Sequence, residues 1–523
     1  MIGMTNLTLD EKFPDQQIVS APSLAIGLQQ PPKRFYRHGW QSWSLAAWTD
    51  LRPPPVQKPA ILHPMQVDPA YAKEQRPHGS WVGAVELEGG KILLLGALGL
   101  DAHIIATRNQ LEGNYESGGG DWFIAYGEET TAFAGYAREL GRRLGAKPDK
   151  PAPRVWCSWY SLYTAIDENT LLKVLDELGR LPFDVFQVDD GWQVSVGDWE
   201  ANSKFPSGMK GLAGKIKTTG RRAGLWLAPL IAAKSSRLFR EHPDWFLRDE
   251  HSRLVSAGFN WGQQLYALDP THPSVLQWLA ALMKQVRAWG FDYLKLDFLY
   301  AGALPGRHHQ EMPREAAYRK GLKAIREAMG EDAYFLSCGA PIIPSLGLCD
   351  AMRIGPDVAG EWENRRDVVF LNNPAVPSTK NAIRTSLHRL WLSPLVQVDP
   401  DAVYFRSREC SLTAEQRSLL QSLALICNFK ATSDLPAWLT SGEREDLRAF
   451  LEAKPGVKQM AQYVFQIDGR PVDFSAALPL PEAPSGAEAI QAALVGWLGN
   501  HGWALKINDK MGRDALEKMK KGL

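Results

Sequence analysis

The stretch Tyr293-Leu-Lys-Leu-Asp-Phe-Leu299 decides the fold. It is an apolar, strand-like run that carries a base at Lys295 and an acid at Asp297. Side chains two apart on a strand share a face, and a buried face holds an acid and a base only if they are paired or put to use. The same design recurs upstream in Val185-Phe-Gln-Val-Asp-Asp-Gly-Trp192 and downstream in Ala351-Met-Arg-Ile-Gly-Pro-Asp357. Three strand-like segments therefore bring Asp189, Asp190, Asp297 and Asp357 to or near their C-terminal ends.

From Arg154 onward, strand-like runs alternate with helical patterns. The runs are Val155–Trp159, Val185–Val188, Gly224–Leu227, Tyr293–Leu296, Tyr334–Leu336, Met352–Ile354, Trp391–Val396 and Leu423–Ile426. Four of the intervening helices close on Gly179, Gly220, Gly290 and Gly330, residues suited to a left-handed helix cap. The spacing between the fifth and sixth runs leaves no room for a full helix. This rhythm predicts an α/β fold with a central (β/α)8 TIM barrel over residues 151–444. In such a barrel the active site lies at the C-terminal ends of the strands. Residues 1–150 read as an N-terminal β-sandwich, because runs such as Trp81–Leu87 and Ile92–Leu100 are separated by turn residues. Residues 445–523 read as a small C-terminal β domain, from the alternation in Val457–Ile467 and Ala492–Ile507.

Composition narrows the function. Lysine plus arginine number 59 against 58 acidic residues, a net charge of +1, so no concentrated basic surface is available for nucleic acid or an anionic membrane. The five cysteines include no CxxC pair, which indicates neither a disulfide framework nor a zinc site. With no basic, apolar leader at Met1–Asp10 and no apolar run long enough to span a bilayer, a cytoplasmic location is expected.

The four carboxylates suit glycoside hydrolysis, which needs two acids in different protonation states on either side of one bond. Asp297 is the nucleophile candidate, with Lys295 on its own strand face to keep it ionised. A Lys–Asp pair serving only the fold is the competing reading. Asp357, just past Gly355-Pro356 and preceded by Arg353, is the acid/base candidate, although Pro-Asp is also ordinary in turns. Adjacent Asp189 and Asp190 suit a polyhydroxylated ligand, since each carboxylate accepts several hydrogen bonds. Trp192 is then placed to pack on a sugar face. A metal site is the alternative for the acidic pair, but no Asp-x-Asp-x-Asp loop accompanies it, so neither metal nor cofactor is expected. Trp159 and Trp226 are further candidate platforms, although tryptophans on strands are more often core.

Tyr-Leu-Lys-Leu-Asp (293–297), Val-Asp-Asp-Gly-Trp-Gln (188–193) and Arg-Ile-Gly-Pro-Asp-Val (353–358) together resemble the α-galactosidases of glycoside hydrolase family 36. His38-Gly-Trp-Gln-Ser-Trp-Ser44 resembles a tryptophan motif of the same family. The resemblance covers residues 30–430. It implies a retaining double displacement on a small-molecule galactoside, with Asp297 as nucleophile and Asp357 as acid/base. Asp189 and Asp190 match the pair that binds the 4- and 6-hydroxyls of galactose. Lys295 matches the lysine on the 3- and 4-hydroxyl side, and Arg353 the arginine near the 2-hydroxyl. Cys338-Gly339 resembles a segment lining the same pocket, and Trp40 or Trp43 matches a tryptophan that reaches in from the N-terminal domain. Homo-oligomers occur in families of this kind. Leu296 before the nucleophile and Pro356-Asp357-Val358 around the acid/base depart from the family pattern. These departures leave an α-N-acetylgalactosaminidase or a galactosyl transglycosylase as alternatives. A non-catalytic sugar-binding barrel is the alternative from another class. Retention requires the two catalytic carboxyls to lie about 5–5.5 Å apart.

Overall fold

The computed structural model describes residues 4–9, 13–51, 66–371 and 373–499. At its centre is one all-parallel sheet of eight strands. In chain order these are β1 (Arg154–Cys157), β2 (Val185–Val188), β3 (Arg222–Leu227), β4 (Tyr293–Leu296), β5 (Tyr334–Ser337), β6 (Ala351–Arg353), β7 (Gln397–Asp399) and β8 (Lys430–Thr432). Neighbours in sequence are neighbours in space from β1 to β7, and β8 pairs with β1. The two ends of that order meet at a single parallel bridge between Val403, just past β7, and Thr432 of β8. β2, β4 and β5 are buried at every position, so they read as near-continuous apolar runs.

Helices join the strands. Glu168–Leu178 starts where Asp167 accepts from the Thr170 amide. Pro273–Trp289 has proline in its first turn and ends on Gly290, whose φ of 103° few other residues would adopt. The helices expected to stop at Gly179, Gly220, Gly290 and Gly330 stop there or within three residues. Between β5 and β6 only one turn, Ile342–Ser345, is helical.

Two expected strands lie elsewhere. Leu423–Ile426 belongs to the helix Ala414–Ile426, started by a Thr413–Gln416 capping box, and the eighth strand follows it. Leu420, Leu423 and Ala424 are that helix's buried stripe, and a short apolar run reads the same in either element. The seventh strand follows rather than fills Trp391–Val396, where Leu390–Leu392 makes a tight turn. β1 also ends early, at Cys157, so Trp159 opens a short helix.

The N-terminal segment holds a five-stranded and a six-stranded sheet, built from strands between Met4 and Gly127. Glycine at position 113 lets Trp122 and Leu95 of one sheet press against the other. A helix, Glu129–Leu144, follows and was not expected from the β-rich pattern. Further on, the boundary placed between residues 444 and 445 falls inside the helix Ser441–Glu452. Beyond it a three-stranded sheet (Val457–Ala461, Val464–Ile467, Arg470–Asp473) precedes the helix Gly486–Gly499. The run Ala492–Ile507 is therefore helical up to Gly499, as its alanine-rich sequence favours, and residues 500–507 lie outside the described residues.

Two buried polar knots tie the N-terminal segment to the central sheet. Arg389 donates to the carbonyls of Ser42 at 2.7 Å, Gly39 at 3.0 Å, Gln41 at 3.1 Å and Ile354 at 2.9 Å. Glu315 accepts from the Trp81 indole at 3.0 Å and the Asp101 amide at 2.6 Å.

Candidate active site

The acidic residues singled out in the sequence gather at the C-terminal ends of β2, β4 and β6. Asp189 follows β2. Its Oδ2 accepts from Lys295 Nζ at 3.0 Å and from Gln187 Nε2 at 2.6 Å, and Cys157 Sγ lies 3.4 Å away. Its Oδ1 accepts the Asp190 amide at 2.9 Å. The partner of Lys295 is thus Asp189, two strands away past β3, rather than Asp297 on its own strand. Burial opposes the Lys295 ammonium, but Asp189, with Cys338 and Cys157 adding to it, holds the lysine well above its ordinary value.

Asp190 is also buried, at 2% exposure. Its Oδ1 accepts from Gln193 Nε2 at 2.6 Å and its Oδ2 from the Trp261 indole at 2.7 Å. Burial pushes its carboxyl up to about 6, against the pull of those two donors and with a further push from Asp189. Trp261 sits at the tip of the hairpin formed by Ser256–Asn260 and Gln263–Ala267, with a φ of 50°. Its ring centroid lies 5.4 Å from Phe298 and 6.2 Å from Trp226. It also lines a cavity of about 510 Å³, together with Asp190, Gln193, Asn202 and Lys204.

Asp297 follows β4. Its Oδ2 accepts from the Trp226 indole at 3.0 Å and its Oδ1 from the Phe298 amide at 2.8 Å. Both oxygens are thereby aimed by N–H donors, with lone pairs left over. Phe298 takes a φ of 53°, which turns the chain sharply just after the carboxylate. Cys338 and Gly339 follow β5. Burial, then Asp297, raises the Cys338 thiol far above its usual range, so it stays neutral. Gly339 has a φ of 50°, and a Cβ there would stand 2.9 Å from Cη2 of Trp43 and 3.1 Å from the Phe298 nitrogen. Its missing side chain is what lets Trp43 reach Phe298, edge to face at 5.2 Å. The Trp43 indole N–H is buried and has no hydrogen-bond partner among the described residues.

Arg353 ends β6 and carries Asp357 four residues on, where Arg353 Nη1 donates to Asp357 Oδ1 at 3.2 Å. Asp357 keeps 32% of its side chain exposed, against 4% for Arg353. Burial raises the Asp357 carboxyl, Arg353 and Lys295 pull it down, and Asp297 and Asp189 push it back up. The two candidate catalytic carboxyls therefore act on each other.

The remaining candidate tryptophans differ in placement, and Trp192 is turned away from its expected role. Trp192 is fully buried, donates to the Trp226 carbonyl at 3.0 Å and packs on Trp199 and Trp289, so it supports β3 from behind. Gly191, at φ 114°, swings it there. Trp40 is 1% exposed and packs on Tyr300. Of the N-terminal pair, Trp43 is the one beside Gly339. Trp159 is partly exposed and meets Tyr163 edge to face at 5.1 Å.

A family model described as Melibiase matches residues 121–331. An α-galactosidase from Thermus thermophilus, solved with p-nitrophenyl α-D-galactopyranoside, is 47% identical with a TM-score of 0.84 over 90% of this chain and 96% of that one. The chain belongs to the glycoside hydrolase family 36 α-galactosidases. The same Thermus protein has been solved with stachyose. The Geobacillus stearothermophilus α-galactosidase AgaA is 28% identical over 206 residues, 36% of this chain and 27% of AgaA, so the matched part spans about a quarter of that relative. The crystal structure of AgaA, a family 36 member, superposes with a TM-score of 0.55 at 16% identity over 83% of this chain and 63% of its own, a likeness of fold.

Several residues that hold these acids were not singled out in the sequence. Trp261, Gln193, Tyr160, Asp399 and Asp401 all touch the constellation. Trp261 lies 71 positions from Asp190 in a long loop and Asp401 lies 48 from Arg353, and no periodicity links such distant partners. Among the described residues, no helix is long and apolar enough to cross a membrane and no cluster of three or more His, Cys, Asp or Glu is arranged to hold a metal ion.

Proposed function

We propose that this protein removes terminal α-linked galactose from galactosides and oligosaccharides by a retaining double displacement. The observation that carries it is the difference between two acids that influence each other. Asp297 is fixed as an acceptor by two N–H donors, while Asp357 is held above the ordinary carboxylate range in a half-exposed position.

In the first step Asp297 attacks the anomeric carbon as Asp357 passes its proton to the departing oxygen. The product is a galactosyl ester on Asp297. In the second step the Asp357 carboxylate takes a proton from water, which cleaves the ester and frees Asp297. Asp189 and Asp190, bridged by the Asp190 amide, present acceptors for the 4- and 6-hydroxyls, and Lys295 donates on the 3-hydroxyl side. Arg353 lies on the 2-hydroxyl side. Trp43 offers an unspent indole N–H, and Trp226 walls the pocket next to Asp297. Trp159 stands at the rim of β1, where a leaving group passes.

We further propose that the central sheet is a closed (β/α)8 barrel, flanked by an N-terminal sandwich that supplies Trp43 and by a small C-terminal unit. The Val403–Thr432 bridge and the two buried polar knots support that layout. Five cysteines free of disulfides support work in a reducing cytoplasm.

The test is hydrolysis of p-nitrophenyl α-galactoside followed by NMR, with α-galactose expected as the first-formed anomer. Asp297→Ala should lose nearly all turnover while staying folded. Azide should restore release of nitrophenol and yield β-galactosyl azide. Turnover surviving the substitution would remove Asp297 from the nucleophile's role.

A further inference from the structure

We propose that Asp401 is a positioning residue for the acid/base, holding Arg353 and the backbone beside Asp357 so that Asp357 keeps its proton until the leaving group needs it. This rests on the reading of Asp357 as acid/base.

The geometry is unusual in its charge count. Arg353 offers three nitrogens to three carboxylates: Nη1 to Asp357 at 3.2 Å, Nε to Asp399 at 3.1 Å and Nη2 to Asp401 at 2.7 Å. One cation therefore serves three acids, and its shortest contact goes to Asp401. Asp401 does more than compete. Its Oδ2 accepts the Val358 amide at 3.0 Å and the Tyr160 hydroxyl, and its Oδ1 accepts the Ala402 amide at 2.7 Å. Asp401 thus grips the chain on both sides of Asp357, at Arg353 and at Val358. Its own backbone has a φ of 89°, a conformation aspartate seldom takes, fixed by a hydrogen bond that its N–H donates to Asp399 Oδ1 at 2.7 Å. A strained backbone that points one carboxylate at a catalytic loop is a recurring mark of functional placement.

The electrostatics run the same way. Two carboxylates that share one cation raise each other's hold on protons. Burial pushes Asp401 up to about 7, against Arg353 and with Asp357 and Asp399 adding to the push. Asp357 in turn faces Lys295 and Arg353, which lower it, and Asp297 and Asp189, which raise it. With the Asp401 charge gone, Arg353 would turn toward Asp357, and the acid would let go of its proton at lower pH.

The experiment compares Asp401→Asn with the parent enzyme on two substrates across pH. Asparagine suits the positive φ, and Asp401→Gly relieves it altogether and serves if the first variant does not fold. Melibiose has a poor leaving group that must be protonated, whereas p-nitrophenolate leaves with little help. Above the alkaline limb about a tenth as much Asp357 would carry its proton, so kcat/KM on melibiose should fall there by about 10-fold and on the nitrophenyl galactoside by less than about 2-fold. The alkaline limb of the kcat/KM profile should move down by about one pH unit. Equal losses on both substrates with an unmoved limb would overturn the proposal and leave Asp401 a purely structural group. A parent enzyme that hydrolyses neither substrate would overturn the galactosidase reading itself, a separate result.

Discussion

Trp261→Phe isolates one hydrogen bond in a site of crowded charges. The change deletes the indole N–H that Asp190 Oδ2 accepts at 2.7 Å and keeps an aromatic ring beside Phe298 and Trp226. A hydrogen bond to a charged partner contributes about 1.5–3 kcal/mol. One pH unit corresponds to about 1.36 kcal/mol, so the bond spans about one to two units of Asp190 titration. The sign follows from which form the donor favours. Trp261 stabilises the ionised carboxylate and so pulls against the burial that already lifts Asp190 to about 6. Without the indole N–H, Asp190 stays protonated to higher pH, and a protonated carboxyl has lost acceptor capacity for the sugar hydroxyls. The acidic limb of kcat/KM on p-nitrophenyl α-galactoside should therefore rise by about one to two pH units. KM should rise at pH 6 and recover toward pH 8.5, with kcat nearly constant. A folded Trp261→Phe variant whose acidic limb coincides with the parent's would refute the link between Trp261, Asp190 and galactose binding.

Other outcomes follow from single features. Gly339→Ala sets a methyl group 2.9 Å from Trp43 at a φ of 50°. It should lower stability by about 1–3 kcal/mol in urea melts and raise KM more than it lowers kcat. Glu315→Gln tests pH-dependent stability. Burial, then Asp101, lifts Glu315 to about 8 from an unfolded value of 4.5. The folded state then binds more protons than the unfolded one between those values, so stability falls as pH rises through that window. Glutamine removes that titration and should flatten the slope in urea melts at pH 5, 6.5 and 8. An unchanged slope would show that Glu315 does not titrate there.

Much of the site was legible because charge in an apolar run has few explanations. Asp189, Asp190, Asp297 and Asp357 stood out for that reason, and the strands beneath them fell where the runs did. Face arithmetic placed Lys295 correctly but named the wrong partner: a same-strand neighbour is two positions off, yet a strand end two strands away can come closer, and Asp189 does. Trp192 failed differently. Its motif is adjacent to the acids, but a positive-φ glycine between them turns its ring into the core. The last strands were misplaced because Leu423–Ile426 satisfies both a buried strand and a helical stripe. Asp401 and Trp261 carry no signal in their own neighbourhoods, since their roles come from partners that only the folded chain brings near.

The Arg389 knot constrains how such a chain can be cut or recombined. Its guanidinium is fully buried, and burial lowers it to about 10, so it relies on backbone carbonyls for its whole solvation. Three of those four carbonyls belong to residues 39–42. A truncated chain beginning near residue 151 would keep Asp297 and Asp357 yet lose three of the four carbonyls that hold Arg389 beneath the loop that bears Asp357. Catalytic sheet and N-terminal segment are in that sense one inheritable unit, and domain shuffling that separates them would have to replace Arg389 first.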